Sequence, residues 1–307
     1  MKTNIVLHFS KAAESDVIAW QRTLQSVFAQ TCSNFEVSIL NETRSDLTGV
    51  IESVSAESKK VRVISANEEQ LAENLRKAFS ADVDFHLYLD NRAQEVTLKK
   101  SALELCLIAV KNNPNTGMIY ADYDLLENGQ VKEVRLLKHH IGRVRDNQDY
   151  GKVFFFSAEA IKNSGALSSE MKFNVLYDLR LRISEKSELL HISNRYAGSM
   201  YQVVAQSKAH NVFDYLLASK DSQLEAEQIL TSHLNRIGAY LEPGSHYSPR
   251  PKADTGSTLK ASVIIPVNNR PEFICDAIES VQAQTVKEVE VIVVVNGGDE
   301  EIGRAHV

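Results

Sequence analysis

Two apolar runs that stop abruptly at carboxylates, one on each side of a helical stretch, constrain this 307-residue chain most strongly. The segment from Val83 to Asp124 opens with VDFHLYLDNRAQ, in which Phe85, Leu87 and Leu89 alternate before Asp90-Asn91-Arg92. A helical pattern follows through Leu98, Leu103, Leu105 and Ile108 and closes at Asn112-Asn113-Pro114. Met118-Ile119-Tyr120 then ends at Asp122 and Asp124. Strands that finish in acidic residues set carboxylates along the carboxyl edge of a sheet, the edge at which open α/β folds bind ligands.

The rest of the chain supplies the flanking layers. Ile5 to Phe9 predicts a buried strand, and Trp20, Leu24, Val27 and Phe28 recur at helical spacing. Phe35 to Leu40 predicts a second strand ending at Asn41-Glu42, followed by a helix over Leu47–Val54, a strand over 61–64 and a helix over 68–79. Later segments predict a strand at Lys152–Phe156, helices at Ala158–Ser164 and Asn174–Ser184, a strand at Leu189–Ile192, and one or two helices between Asp214 and Ile237. Strands alternating with helices imply an α/β fold with a mostly parallel sheet covered on both faces. Residues 242–260 hold three of the six prolines and read as a linker. Beyond it the chain starts again. Ser262–Val267 resembles the first strand, Ile278-Glu279-Ser280-Val281-Gln282-Ala283-Gln284-Thr285 nearly repeats Leu24–Thr31, and Glu290–Val294 repeats Glu36–Leu40. This is the repeat of a whole domain opening, not a short solenoid period.

Composition narrows the partners. A net charge of −6 gives no electrostatic reason to expect nucleic acid. Cys32, Cys106 and Cys275 are odd in number and lack metal-binding spacing, so Cys32 and Cys106 read as buried thiols. His139-His140 lacks a third ligand at a telling spacing. No run approaches the roughly 18 apolar residues of a membrane span, and the amino terminus lacks a secretory pattern. The expectation is a cytoplasmic protein, free or at the inner face of the membrane.

The order of strand, SVxAQT helix, second strand and later strand ending near Asp90 resembles the family 2 glycosyltransferases of the GT-A fold. The resemblance is most specific in ASVIIPVNNRPEFICDAIESVQAQTVKEVEVIVVVNGGDE, the start of a second copy. It extends more weakly over the first 240 or so residues, where LYLDNRAQ stands at the DxD motif and NVLYDLRLR at the segment carrying the catalytic base. The resemblance implies a Rossmann-like sheet with flanking helices, a nucleotide-sugar donor, a glycan or glycolipid acceptor, and inversion at the transferred sugar. It also implies Mg²⁺ or Mn²⁺ on the donor diphosphate and a helix carboxylate that deprotonates the acceptor. The domains implied are 1–241, degenerate, and 261–300, the beginning of a second transferase domain. Residues 301–307, EIGRAHV, do not resemble the family. IGRAHV can be encoded by a run resembling a sequencing-library adapter with a stop after the valine, so the expectation is a non-native tail on a second domain cut short.

Mapped onto the motifs, the first copy departs at the decisive points. Asp90 matches the first carboxylate of DxD and is the one metal-ligand candidate, but Arg92 stands at the second. Arginine cannot ligate a cation, whereas its planar fork suits phosphate oxygens. Leu176 falls at the expected base position, leaving Asp178 as the nearest carboxylate and the catalytic candidate. Glu42, Asp90, Asn91, Arg92, Asp122 and, in the second copy, Asn296 are the nucleotide-sugar-binding candidates. Structural roles stand beside these: Asp90 as a helix cap, Asp122 and Asp124 as turn acids, Arg92 as a solvated side chain. The basic segment Lys138, His139, His140, Arg143 and Arg145 fits either a phosphate-bearing acceptor or a solvated loop. A non-catalytic nucleotide- or glycan-binding scaffold is the alternative to a transferase. A dinucleotide-dependent oxidoreductase is disfavoured because no G-x-G-x-x-G follows the first strand.

Overall fold

The computed structural model describes residues 1–54, 61–167, 171–195, 198–205, 220–242, 261–268, 273–286 and 288–295. Contacts divide the chain into Met1–Tyr240 and Leu241–Val307. The strands of the first unit are β1 (Thr3–Phe9), β2 (Phe35–Asn41), β3 (Val61–Ser65), β4 (Phe85–Leu89), β5 (Val96–Leu98), β6 (Thr116–Ala121), β7 (Tyr123–Glu127), β8 (Gln130–Val134), β9 (Val153–Ser157), β10 (Glu188–Ile192) and β11 (Tyr201–Val204). Its helices are α1 (Lys11–Ser15), α2 (Val17–Phe28), α3 (Thr48–Val54), α4 (Leu71–Ala78), α5 (Ala102–Asn112), α6 (Ala158–Ser164), α7 (Val175–Ser184) and α8 (Lys220–Arg236).

Seven strands form the main sheet in the order β10-β6-β9-β4-β1-β2-β3. All neighbours pair in parallel except β9, which runs antiparallel to both β4 and β6. β1 is buried along its whole length because helices cover both of its faces. Ile5, Leu7 and Phe9 pack with Trp20, Leu24 and Val27 of α2 on one side. Val6 faces Leu71 and Leu75 of α4 on the other. Helix α2 starts where the Asp16 carboxylate accepts from the Ala19 amide at 3.0 Å. A smaller sheet, β5-β11-β7-β8, stands beside the first.

Several local expectations change. Leu98 belongs to β5, where Val96 and Thr97 favour an extended chain, and pairs antiparallel with Tyr201. The fourth helix begins at Leu71 rather than residue 68. The Asn67 side chain and carbonyl accept from Glu69 and Gln70 and bend the chain into a turn first. Residues 123–134 form a hairpin around Asn128-Gly129, both at positive φ. Cys106 is buried, but Cys32 is partly exposed. Of the segment from Asp214, the described part is α8; residues 214–219 lie outside the described residues.

In the second unit β12 (Ala261–Val267) and β13 (Val289–Val295) pair in parallel, and α9 (Ile274–Gln282) covers one face. Val267 and Ile274 form its small core with Ile265, Ile278 and Val293. On alternate strand positions Ile264, Ile292 and Val294 are exposed.

Candidate functional site

Because β1 pairs in parallel with both β2 and β4, their carboxyl ends lie side by side. This juxtaposes residues distant in sequence. The Asn91 side chain accepts from the His8 amide at 2.8 Å and donates to the His8 carbonyl at 2.9 Å. Trp20 donates its indole N–H to the same carbonyl at 2.8 Å. The His8 ring spans Glu42 Oε1 (2.8 Å from Nδ1) and Tyr88 Oη (3.0 Å from Nε2). Burial, with the Asp90 charge nearby, pushes the Tyr88 phenol well above its ordinary pKa, so it takes part as a neutral group.

Arg92 turns back onto the residue two positions before it. Its Nε and Nη2 donate to the two carboxylate oxygens of Asp90 at 2.8 and 3.1 Å. Burial alone would raise the Asp90 pKa, but the Arg92 hydrogen bond and charge, helped by Lys152 and His8, hold it below the ordinary value. Burial opposes the charge on Arg92, yet Tyr88 and Asp90 together leave its pKa raised. Asp90 and Arg92 line a cavity of about 470 Å³ with Glu42, Lys11, Glu68 and Lys152. Lys11 pairs with Glu68 at 2.7 Å, whereas the Lys152 ammonium has no ion-pair partner among the described residues.

This donor set does not fit a divalent cation. Hard cations take several oxygen ligands, and here both Asp90 oxygens already accept from a fixed positive charge. Among the described residues no group of three His, Cys, Asp or Glu side chains is placed to hold a metal.

The other candidates have separate partners. Asp122 is buried and accepts from the Leu136 amide (2.7 Å), the Asn194 amide (3.1 Å) and His191 Nε2 (2.7 Å), tying the end of β6 to the chain after β8 and to β10. The Asp124 carboxylate takes the Ser199 hydroxyl and pairs with Lys99 at 3.3 Å. Asp178 is buried on α7, with Arg182 Nε 2.8 and 2.9 Å from its two oxygens. Asn91 is occupied by the His8 backbone, as above. None of Asp122, Asp178 or Asn91 lines the Asp90 cavity. Leu176 lines a second cavity of about 250 Å³ with Tyr150, Tyr177, Arg180 and Lys152, so Lys152 belongs to both walls. Asn296 lies outside the described residues.

With β9 reversed among parallel strands, a second small sheet alongside, and the cavity at the carboxyl ends of β1, β2 and β4, the architecture can be compared with solved proteins. The 1–349 portion of TarS from S. aureus is 14% identical, with a TM-score of 0.51 over 78% of this chain and 72% of that one. TarS 1–349 is also solved with UDP-GlcNAc, at the same identity and TM-score. The mannosyltransferase PcManGT from Pyrobaculum calidifontis, in complex with GDP-Man and Mn²⁺, is 10% identical, with a TM-score of 0.50 over 78% of this chain and 65% of that one. The fold is GT-A. At such identities the likeness establishes architecture alone. The model of Glycosyl transferase family 2 matches residues 262–304, in the second unit. No curated protein matches the sequence.

Motif reading missed four residues that line the two cavities or bond to their lining. His8 and Tyr88 sit inside strands and look like ordinary alternation there. Lys152 precedes β9 in a Gly-Lys pair that carries no signature. Arg180 lies within a helix, yet stacks 4.2 Å from the centre of the Tyr150 ring.

Proposed function

We propose that this chain is a glycosyltransferase-like protein whose first domain, residues 1–241, binds a nucleotide-diphosphate sugar without a divalent cation at Asp90. The observation that supports the reading is the Asp90–Arg92 fork, a fixed cation beside the carboxylate that the resemblance matches to the first acid of DxD. Arg92 supplies planar donors for phosphate oxygens, and Lys152, across the same cavity, supplies a second, unpaired charge. The wider role is transfer of a sugar from a nucleotide-sugar donor to a glycan or glycolipid acceptor with inversion. It is supported by the family 2 match at 262–304, read as the opening of a second domain after a linker at 242–260.

A second reading, a binding scaffold without turnover, is favoured by one observation. The nearest carboxylate to the expected base position, Asp178, is buried and paired with Arg182, while Leu176 lines the second cavity, with Tyr150 and Arg180. A base must reach the acceptor proton to remove it.

Calorimetry of the full chain with UDP- and GDP-sugars, in Mn²⁺ and in EDTA, tests the metal-free donor site, and release of UDP or GDP from the bound donor separates turnover from binding alone. Binding that survives EDTA and weakens about tenfold in Lys152→Ala supports the proposed clamp. Binding that requires Mn²⁺ overturns it. Binding of neither donor leaves the scaffold.

A further inference from the structure

The excursion between β8 and β9 is irregular, yet it is held from beneath through its backbone. Leu136 donates its amide to Asp122 at 2.7 Å. The Tyr120 hydroxyl donates to the Leu137 carbonyl at 2.8 Å and accepts from the His139 amide at 2.6 Å. The Tyr177 hydroxyl donates to the Val144 carbonyl at 2.6 Å. Arg180 donates to the carbonyls of Arg143 and Arg145 at 3.3 and 2.9 Å. One side chain also points inward: His139 Nδ1 lies 2.7 Å from Tyr150 Oη, and burial together with Arg180 pushes its pKa down to about 4.

With the backbone anchored, other side chains are free to project. Leu137 and Ile141 are 55% and 54% exposed. A single exposed aliphatic residue is ordinary, but these two stand among cations. Residues 135–145 contain Arg135, Lys138, Arg143 and Arg145 and no Asp or Glu, in a chain whose net charge is −6. Arg135 pairs with Glu133, but Lys138, Arg143 and Arg145 have no carboxylate partner among the described residues. Arg143 donates to the Lys138 carbonyl at 2.7 Å, which brings those two positions together on one turn.

We propose that residues 135–145 are a membrane-contact platform, with Leu137 and Ile141 entering the interface and Lys138, Arg143 and Arg145 resting on anionic headgroups. Aliphatic tips within a basic rim match a bilayer surface, which offers a place for both. Nucleic acid would use the cations and leave the aliphatics in water. The platform runs directly into Asp146–Lys152, a wall of the cavity that also contains Leu176, Tyr150 and Arg180. Docking would therefore set that cavity next to the membrane. The inference is independent of the sugar-transfer reading, because it needs neither donor nor turnover.

The test is flotation of the full chain with vesicles of phosphatidylcholine alone, or with added phosphatidylglycerol. Binding is expected only to the anionic vesicles. Each cation near such a surface contributes about fivefold to affinity, so Lys138→Glu/Arg145→Glu should lower binding more than tenfold. Leu137→Ser/Ile141→Ser should also lower it while leaving charge unchanged. Because these side chains make none of the anchoring bonds, the variants should unfold like the parent by tryptophan fluorescence. In Ile141→Trp, emission should shift to the blue on anionic vesicles. No binding to anionic vesicles, or binding unaffected by the Ser pair, overturns the platform. So does retention on a soluble polyanion that equals vesicle binding and ignores the Ser pair.

Discussion

Arg92→Ala isolates the bond that defines the site. In the parent, Asp90 is 15% and Arg92 34% exposed at the side chain, with two hydrogen bonds between them. Exposed pairs contribute about 0.2–1 kcal/mol, and removing one partner of a fully buried pair costs about 3–5 kcal/mol. The intermediate burial of this pair places the expected loss near 2 kcal/mol at neutral pH. The sign of its pH dependence follows from the Asp90 shift. A carboxyl with a depressed folded pKa stabilises above its unfolded value of about 3.9 and loses that contribution as pH falls through the folded value. In the variant, burial acts without Arg92 and raises the pKa, so protonation in mild acid relieves the unpaired carboxylate. Both effects narrow the gap between parent and variant as pH falls from 7 to 3. Urea titrations followed by fluorescence read this well. Trp20 is the only tryptophan, it is buried, and it bonds to the His8 carbonyl beside the site. A gap under about 0.3 kcal/mol at pH 7, or one that stays constant down to pH 3, would refute the assignment.

Arg92→Asp restores a second carboxylate two residues after Asp90. Its melting temperature should rise with added Mn²⁺, as ligand binding to the folded state requires, while the parent's stays unchanged. Asn91→Ala strips both hydrogen bonds from the His8 backbone and should cost about 2 kcal/mol, read by denaturant unfolding, with altered Trp20 emission. Gly151 has φ +84°, and a Cβ there would lie 2.0 Å from the Tyr201 hydroxyl oxygen. Gly151→Ala should lose at least about 1–2 kcal/mol from the left-handed backbone alone, seen as a fall in melting temperature.

The strands of the main sheet were legible because burial on both faces demands apolar runs, and β1, β2, β4, β6, β9 and β10 all carry them. The smaller sheet was not. β5 and β11 are three and four residues long, too short for a period to register. The β7–β8 hairpin did carry a local signal, Asn128-Gly129, within a segment whose exposed polar residues conceal the strand. At the site, Asp90 and Arg92 were legible as neighbours in sequence. Their mutual fork was not, because the same Asp-x-Arg spacing also allows the arginine to reach solvent. Asn91 shows the deeper limit. Its partner is 83 positions away, chosen by the parallel register of β1 and β4, so nothing near it in the chain distinguishes a ligand contact from a strand clamp.

The repeated stretch, read as a first and a second copy, shows where that clamp has consequences. β1 and β2 pair Thr3 with Phe35, and β12 and β13 pair Ala261 with Val289, so the second copy reaches the same ladder in four fewer residues. The extra length of the first copy falls between strand and helix, the region that holds α1. Counting along the paired strands, His8 is matched by Pro266, which has no amide hydrogen to donate. An asparagine placed like Asn91 could therefore find only a carbonyl there, and no ring would bridge a Glu and a Tyr. In the first copy the polar groups around the cavity satisfy one another: Glu42 through His8, Asp90 through Arg92, Lys11 through Glu68. These contacts hold the cavity's shape without a bound metal, and Lys152 on its wall makes no ion pair among the described residues. Under the proposed function, that arrangement would let a donor diphosphate meet Lys152 directly. It gives a free divalent cation nothing to displace except Arg92, which is covalently part of the chain.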